Sequence, residues 1–445
     1  MLELSRVEIG ADQPHRGESA TRPRSGAGVL IGIIDTGIDL NHPAFKRGDG
    51  SSKVVAFWDQ DGVGGQVPSR FGYGAHCPVE LIRAGRCSLN DELGHGTHVA
   101  GIAAGLDGIA PDAELVMVRS GNFTRIADAV SYIFDVADQL DRPAVVNLSV
   151  GGHYGPHDGN TPLESYIERE LGKGRLMVAA VGNDGDDRLH ARIDLSGEPM
   201  RLAIEDMPVG VSVDTVVELW SAFGDSVDVA VEIWRGEERL SAIPLRASET
   251  DELIGTIRRD GVEVLYATYI AEWNPDHRRI ARTVTLERPT ALDENEVVVL
   301  ALSGTGSMHA WISQSDYRYG MARFGAGRGP GWASGDGENS VTVPATSKNV
   351  IAVGAYTVRS DWVSESGEAH VLEFLPGWLT PYSSRGPTTA PNHTGFKPLI
   401  TAPGSVIASA RSHWVPQSIA TIDEERLVMQ GTSMAAPHVA GVLAM

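Results

Sequence analysis

Three segments that lie far apart in the chain each carry a residue whose side chain suits nucleophilic catalysis. They read IGIIDTGID around Asp35, ELGHGTHVAGIAAG around His95 and GTSMAAPHVAG around Ser433. A serine hydroxyl is a weak nucleophile until a neighbouring base takes its proton, and a carboxylate can orient that base. The order Asp, His, Ser therefore predicts a hydrolase in which Ser433 attacks, His95 transfers protons and Asp35 orients His95.

All three motifs resemble those of the subtilisin-like serine protease family (peptidase S8), which uses the same residue order. The resemblance implies a serine endopeptidase that hydrolyses extended polypeptides through an acyl-enzyme intermediate, with a polypeptide as its partner. It also implies that Asn183, in the segment VGNDG, donates a hydrogen bond to the oxyanion of the tetrahedral intermediate. The backbone N–H of Ser433 would be the second donor.

The same resemblance assigns the residues that bind substrate. NLSVGG at 147–152 matches the strand that pairs with an extended peptide, and SGNF at 120–123 matches the second edge. The pocket for the side chain that precedes the scissile bond would accept an uncharged or bulky apolar residue. The expected substrate-binding residues are Ser120, Gly121 and Asn122 on the second edge, Ser149, Val150 and Gly151 on one pocket wall, and Ala180, Val181 and Gly182 on the other.

Simpler interpretations of the same residues stay open. Asp35 could start an ordinary turn after a strand, and Ser433 could be a helix N-cap. His98 follows His95 at a spacing that two metal ligands can use, but no HExxH motif or matching third ligand accompanies them, so we predict no catalytic metal. An acid-acting, sedolisin-like peptidase would need a carboxylate in place of His95. The alternative function is a non-catalytic pseudoprotease or a regulatory binding protein.

Cofactor requirements follow from the resemblance too. The chemistry requires no cofactor, although relatives often bind structural calcium. Ala44, in the segment HPAF, stands where many secreted subtilisins have a calcium-ligating aspartate, and the loop GLDGIAPDAEL after the His95 helix is short. We therefore expect the usual strong calcium site to be absent, while other calcium sites stay open.

The elements that must position these residues change character along the chain. Short apolar runs such as Val29–Ile34 alternate with helical patterns up to residue 189, including Pro162–Leu171 after the N-cap Thr161. From about His190 to Pro330, apolar and polar residues alternate, which is typical of antiparallel strands. We predict an α/β fold, namely a subtilisin-like three-layer α/β/α catalytic domain with a mostly parallel sheet (1–189 and 331–445) and an inserted all-β jelly-roll or β-sandwich domain (190–330).

The insertion and the long stretch between Asp35 and His95 resemble the clostridial spore-germination (Csp-like) protease subgroup. The inserted domain of that subgroup is a jelly roll that rigidifies the catalytic domain, and some of its members are inactive pseudoproteases. The chain ends at Met445, twelve residues after Ser433, which predicts a catalytic domain truncated at its C-terminus.

Composition narrows the class of partner. The chain has 37 Lys and Arg against 58 Asp and Glu, a net charge of -21, which argues against nucleic acid or an anionic membrane as a partner. Residues 1–26 contain no apolar signal segment, so we expect a flexible or leader-derived segment and favour a cytoplasmic over a secreted location. Cys77 and Cys87 allow either a local disulfide or two free thiols. The oligomeric state is not indicated.

Overall fold

The computed structural model describes residues 2–12, 24–87, 90–210, 214–245, 253–314, 321–390 and 396–445. The α-helices are α1 Leu2–Glu8, α2 Val79–Arg83, α3 His95–Ala104, α4 Ile126–Gln139, α5 Pro162–Glu170 and α6 Thr432–Ala444. The strands, in chain order, are β1 Leu30–Asp35, β2 Val54–Asp59, β3 Ala75–Pro78, β4 Glu114–Arg119, β5 Ala144–Leu148, β6 Arg175–Ala180, β7 His190–Ser196, β8 Met200–Glu205, β9 Asp214–Ala222, β10 Ser226–Arg235, β11 Glu238–Leu245, β12 Leu253–Arg259, β13 Val262–Asn274, β14 Arg279–Glu287, β15 Glu296–Gln314, β16 Arg323–Phe324, β17 Ile351–Thr357, β18 Asp361–Val363, β19 Ala369–Val371, β20 Ile400–Ser405, β21 Ile407–Ala410 and β22 Arg426–Met429.

An eight-stranded sheet with the order β20–β17–β6–β5–β1–β4–β2–β3 forms the catalytic part. Its pairs are parallel except that β3 runs antiparallel to β2. Alternate residues of the buried strand β1 face opposite sides, because successive side chains in a strand point to opposite faces. Leu30 and Ile34 pack in one core with α4, while Ile31 and Ile33 pack in another with α3. The predicted three-layer α/β architecture is confirmed.

A second, ten-stranded sheet contains β7 to β16, and its pairings are antiparallel. Alternating burial along β7 and the other strands places an apolar set in a core of its own. This confirms the all-β character predicted for the insertion. The sheet lies within the range 190–330, whose limits stay a prediction.

The loop at residues 152–158, which we call the junction loop, joins the two parts. The ring of His157 stacks on the indole of Trp311 with centroids 4.4 Å apart and planes inclined by 6°. Gly155 donates its backbone N–H to Glu218, at 2.8 Å. Nδ1 of His277 lies 2.9 Å from the carboxylate of Asp158. Stacking, hydrogen bonds and an imidazole–carboxylate contact thus fasten the inserted sheet to this one loop.

The N-terminal segment departs from expectation. Residues 2–12 do not form the flexible segment that was one of the two expectations, because α1 packs on the catalytic part and the Ser5 hydroxyl lies 2.8 Å from Nε2 of the fully buried His438 on α6. Their origin as a leader stays a prediction. Residues 13–23 lie outside the described residues. Of the two alternatives for the cysteines, the structure has the Cys77–Cys87 disulfide. Within the described ranges, no helix has both the length and the apolar character required to cross a membrane.

Acid should weaken the junction between the two parts. Burial, and then the charge of His190, lowers the pKa of His309 to about 4, and burial lowers that of His157 well below its usual value. The unfolded chain takes up protons near pH 6.5 and the folded chain does not, so stability is complete above pH 6.5 and is lost as pH falls towards 4. His309 alone should contribute up to about 3 kcal/mol of this loss. Urea denaturation between pH 7 and 4.5 should show a smaller pH dependence for His309→Gln, and an unchanged dependence would contradict this assignment.

Candidate active site

Asp35 and His95 meet where β1 ends and α3 begins. Asp35 is the last residue of β1, and His95 is the first residue of α3. Their side chains are joined at 2.7 Å between Oδ1 of Asp35 and Nδ1 of His95. Gly96 allows this approach, because a Cβ there would lie 2.2 Å from the carbonyl oxygen of Gly37 and 3.1 Å from Cβ of Asp35. The contact between Asp35 and His95 that the predicted chemistry requires is therefore present.

The environment of Asp35 fixes the tautomer of His95. Oδ1 of Asp35 also accepts the backbone N–H of Thr36, at 2.8 Å, and a carboxylate only accepts hydrogen bonds. Nδ1 of His95 must therefore carry the proton, which leaves Nε2 with the lone pair. The Asp35 side chain is 1% exposed and that of His95 is 30% exposed, so the carboxylate is enclosed while the ring reaches solvent.

Opposing effects set the proton affinity of His95. Burial of the ring lowers its pKa, but the charge of Asp35 and the Asp35 hydrogen bond raise it, and the charge of Asp91 adds to them. The two raising effects of Asp35, together with Asp91, outweigh burial. The net result is a His95 pKa above the usual value of 6.5.

Asp91 is a site residue that the sequence reasoning missed. Its fully buried carboxylate accepts hydrogen bonds from the Thr36 hydroxyl at 2.8 Å and from the Gly94 N–H at 2.9 Å. It also accepts from the backbone N–H and the hydroxyl of Thr97, at 2.8 and 2.7 Å. Asp91 therefore ties the residue after Asp35 to the first turn of α3. The signal in the sequence was an acidic residue just before a helix, which is typical of a cap.

Ser433 lies in the first turn of α6, after Gly431 at φ 142°. Its hydroxyl donates to the backbone carbonyl of Ser149 at 3.1 Å, and the Ser149 hydroxyl donates to the carbonyl of Ser433 at 2.9 Å. Both His95 and Ser433 are described, and the structure shows no hydrogen bond between them. In unliganded enzymes such bonds are often long and tighten only when substrate binds.

Asn183 lies beside Ser433 in a fixed orientation. Its Oδ1 accepts the backbone N–H of Thr432 at 2.8 Å and the Thr432 hydroxyl at 3.1 Å. Because the oxygen is engaged, the amide nitrogen is the end that remains to donate elsewhere. Gly431 leaves room there, since a Cβ on it would lie 3.3 Å from Nδ2 of Asn183.

The segments expected to bind substrate lie at the ends of β4 and β5, which neighbour β1 in the sheet, and of β6, which pairs with β5. Parallel strands bring their carboxyl ends to one edge, so these segments lie together. Ser120 donates its N–H to the carbonyl of Asp35 at 3.0 Å, Ser149 contacts Ser433, and Gly182 donates its N–H to the Thr432 hydroxyl at 3.2 Å. Val150 is 43% exposed, and Gly121 and Asn122 are also exposed. Their role in binding stays a prediction.

His98 belongs to the packing of α3. Its ring is fully buried, and Nε2 lies 3.0 Å from the carbonyl of Ile407 and 3.2 Å from that of Leu427. Burial, and then the charge of His95, lowers the pKa of His98 to about 3. In the part of the chain that the structure describes, no group of three His, Cys, Asp or Glu side chains is placed to hold a metal ion.

The sequence matches the model of a known protein family. The model described as Peptidase_S8, Subtilase family, matches residues 26–204 and 278–445, which together are well over half of the chain. The chain belongs to the subtilase family. The predicted membership is thereby confirmed.

Individual subtilases match over parts of their length. The subtilisin-like protease PopC of Myxococcus xanthus is 34% identical over 183 residues, which is 36% of this chain and 34% of PopC. Thermitase of Thermoactinomyces vulgaris is 34% identical over 174 residues, 36% of this chain and 50% of thermitase. The match thus spans between a third and a half of these relatives.

The fold of the whole chain is similar to that of the Clostridium perfringens CspB protease. The two structures superpose with a TM-score of 0.71 at 22% sequence identity, over 98% of this chain and 87% of that one. The expected resemblance to the Csp-like subgroup is confirmed at the level of the fold.

Proposed function

We propose that this subtilase is a serine endopeptidase with Asp35, His95 and Ser433 as its catalytic triad. The observation that carries the proposal is the 2.7 Å contact between Nδ1 of His95 and the buried carboxylate of Asp35. It leaves Nε2 of His95 as a base at the sheet edge where Ser433 lies in the first turn of α6. An enclosed carboxylate that orients a solvent-reaching imidazole is the arrangement that a catalytic base requires.

The reaction would proceed in two halves. Nε2 of His95 takes the hydroxyl proton as Oγ of Ser433 attacks the scissile carbonyl, and Asp35 stabilises the imidazolium that forms. The tetrahedral oxyanion accepts hydrogen bonds from the Asn183 amide and the Ser433 N–H, at the N-terminus of α6, where the helix dipole favours negative charge. The intermediate collapses to an acyl-enzyme as His95 gives its proton to the leaving amine. A water molecule then attacks the acyl-enzyme with the same proton transfers through His95 and releases the new carboxylic acid end of the substrate.

A polypeptide in extended conformation is the substrate class that fits this edge. The segments 120–122 and 149–151 follow β4 and β5, the two strands on either side of β1, and an extended peptide between these segments would add backbone hydrogen bonds to both sides. The chemistry uses protein groups alone, so we propose that it needs no metal or other cofactor and that it survives chelation of divalent ions.

Labelling with a fluorophosphonate probe tests the proposal directly. The probe should react covalently with the purified chain, and Ser433→Ala should abolish labelling, while Ser366→Ala, at an exposed serine, should leave it unchanged. Equal labelling of Ser433→Ala would contradict the assigned nucleophile. A folded chain that never labels and cleaves no peptide would instead be a non-catalytic pseudoprotease, which is the alternative function.

The pH dependence of activity should report the raised pKa of His95. The base must be neutral to accept the serine proton, so kcat/KM should fall as pH decreases through a value above 6.5. Activity should be constant on the alkaline side of that limb until another group titrates. Rates of peptide hydrolysis between pH 5 and 9 measure the pH at which kcat/KM falls to half. A midpoint below 6.5 would contradict the conclusion that Asp35 raises the pKa of His95 by more than burial lowers it.

Loss of the Asn183 amide should slow the chemical step. In subtilisin, another member of this family, removal of one oxyanion donor costs about 10²–10³ in kcat. Asn183→Ala should show a loss of this size with KM nearly unchanged, because the donor acts in the transition state rather than in the ground state. Steady-state kinetics with a peptide anilide separates the two parameters. An effect confined to KM would place Asn183 in substrate binding instead.

A further inference from the structure

A small cavity lies between the two segments that flank Ser433. Its volume is about 170 Å³, and Gly151, Gly152 and Asp184 line its catalytic side. The two glycines follow Ser149, whose carbonyl accepts the Ser433 hydroxyl, and Asp184 follows Asn183. A peptide with its scissile carbonyl between Ser433 and Asn183 would direct the preceding side chain into this cavity, which we call the specificity pocket.

The far wall of the specificity pocket comes from the inserted domain. It is lined there by Ile312 and Ser313 of β15 and by Met321. Ile312 is 2% exposed, and its N–H donates to the carbonyl of Leu189 at 3.0 Å, so this part of the wall is fixed. The catalytic fold alone would leave the pocket without these three residues.

The near wall is also held in place by the inserted domain. The junction loop continues directly from Gly151, and Glu218 and Trp311 anchor it at Gly155 and His157. Because packed elements yield little to a larger group, the pocket cannot widen by a movement of this loop without breaking those contacts. Its volume is also below the roughly 300–1,000 Å³ of sites that hold a drug-sized ligand.

We propose that the inserted domain determines specificity, because Ile312 and Met321 limit the depth of the specificity pocket. The pocket accepts medium-sized uncharged side chains such as leucine and excludes large aromatic ones. An acidic side chain is disfavoured as well, since it would face the carboxylate of Asp184, and the imidazole of His153 that also lines the pocket already contacts that carboxylate at 3.1 Å. This inference rests on the proposed peptidase function and specifies the substrate class of that site.

Peptides that differ only in the residue before the scissile bond test the inference. In a set with alanine, leucine, phenylalanine, tryptophan or glutamate at this position, the unmodified enzyme should show its highest kcat/KM for leucine. Met321→Ala should raise kcat/KM for phenylalanine by at least about 10-fold, because it removes three heavy atoms from the wall and one methylene in an apolar pocket already changes specificity by about 10–200-fold. Ser313→Phe should act in the opposite direction, by lowering cleavage after leucine while retaining cleavage after alanine.

A matched control separates pocket effects from general effects on the inserted domain. Ile254→Ala changes a residue of β12 that is 70% exposed and does not line the pocket, so it should leave the preference unchanged. If Met321→Ala and Ser313→Phe both cleave with the unmodified preference, the inference is wrong while the peptidase function stands. If the unmodified chain neither cleaves these peptides nor reacts with a fluorophosphonate, the proposed function fails and the inference fails with it.

Discussion

Ser433→Ala, His95→Ala and the double variant should each lose activity by about the same factor, close to 10⁶ in kcat. This is the size of loss known for the corresponding serine and histidine in subtilisin, where single and combined replacements cost nearly the same. The reason is that nucleophile and base act as one unit. A base without its nucleophile has no proton to take, and a serine without its base keeps its proton. What remains is the catalysis by the oxyanion donors and by substrate binding.

The comparison of single and double variants is the decisive measurement. Single-turnover and steady-state hydrolysis of one peptide substrate should give equal residual rates for all three variants, with urea denaturation to show that each is folded. Ser366→Ala is the matched control and should keep full activity. A double variant that is many-fold slower than either single variant would mean that Ser433 and His95 contribute independently, and the proposed triad would have to be abandoned.

Local signals explain why much of the site was predictable. The buried run of β1 ends at Asp35, and the small residues after His95 allow a close approach, so both side chains could be placed at one sheet edge from the sequence. Thr161 was also predicted as an N-cap from the sequence, and in the structure its hydroxyl accepts the N–H of Glu164 in the first turn of α5. Each of these signals lies within a few residues of the feature that it specifies.

Contacts between distant residues explain what the sequence did not show. The α1 helix is held by Ser5 against His438, across a separation of 433 positions, and no local pattern marks that pairing. The stack of His157 on Trp311 joins two domains, so neither residue carries a signal until the fold has brought them together. Asp91 combines both cases. Its position just before α3 could be recognised in the sequence as that of a capping residue, but its hydrogen bond with the distant Thr36 could not.

Asp35→Asn should lower kcat by about 10⁴, the loss known when the triad aspartate of chymotrypsin-type enzymes becomes an amide. An asparagine keeps the shape of the side chain but can donate through its nitrogen. If the amide donates to Nδ1 of His95, the ring proton must move to Nε2, and the base can no longer accept from Ser433. In the structure one atom, Oδ1 of Asp35, lies 2.8 Å from the Thr36 N–H and 2.7 Å from Nδ1 of His95, so an amide nitrogen in its place would donate to the ring and give up the hydrogen bond with Thr36.

The same variant should move the acidic limb of the activity profile. The charge and hydrogen bond of Asp35 raise the pKa of His95 against the effect of burial, so their loss should leave burial to lower that pKa. The residual activity of Asp35→Asn should therefore persist to lower pH than that of the unmodified enzyme. Asp91→Asn provides the control, because it removes only the smaller of the two carboxylate contributions and should shift the limb less. A slow Asp35→Asn enzyme with an unmoved limb would show that Asp35 acts through the position of His95 alone and not through its charge.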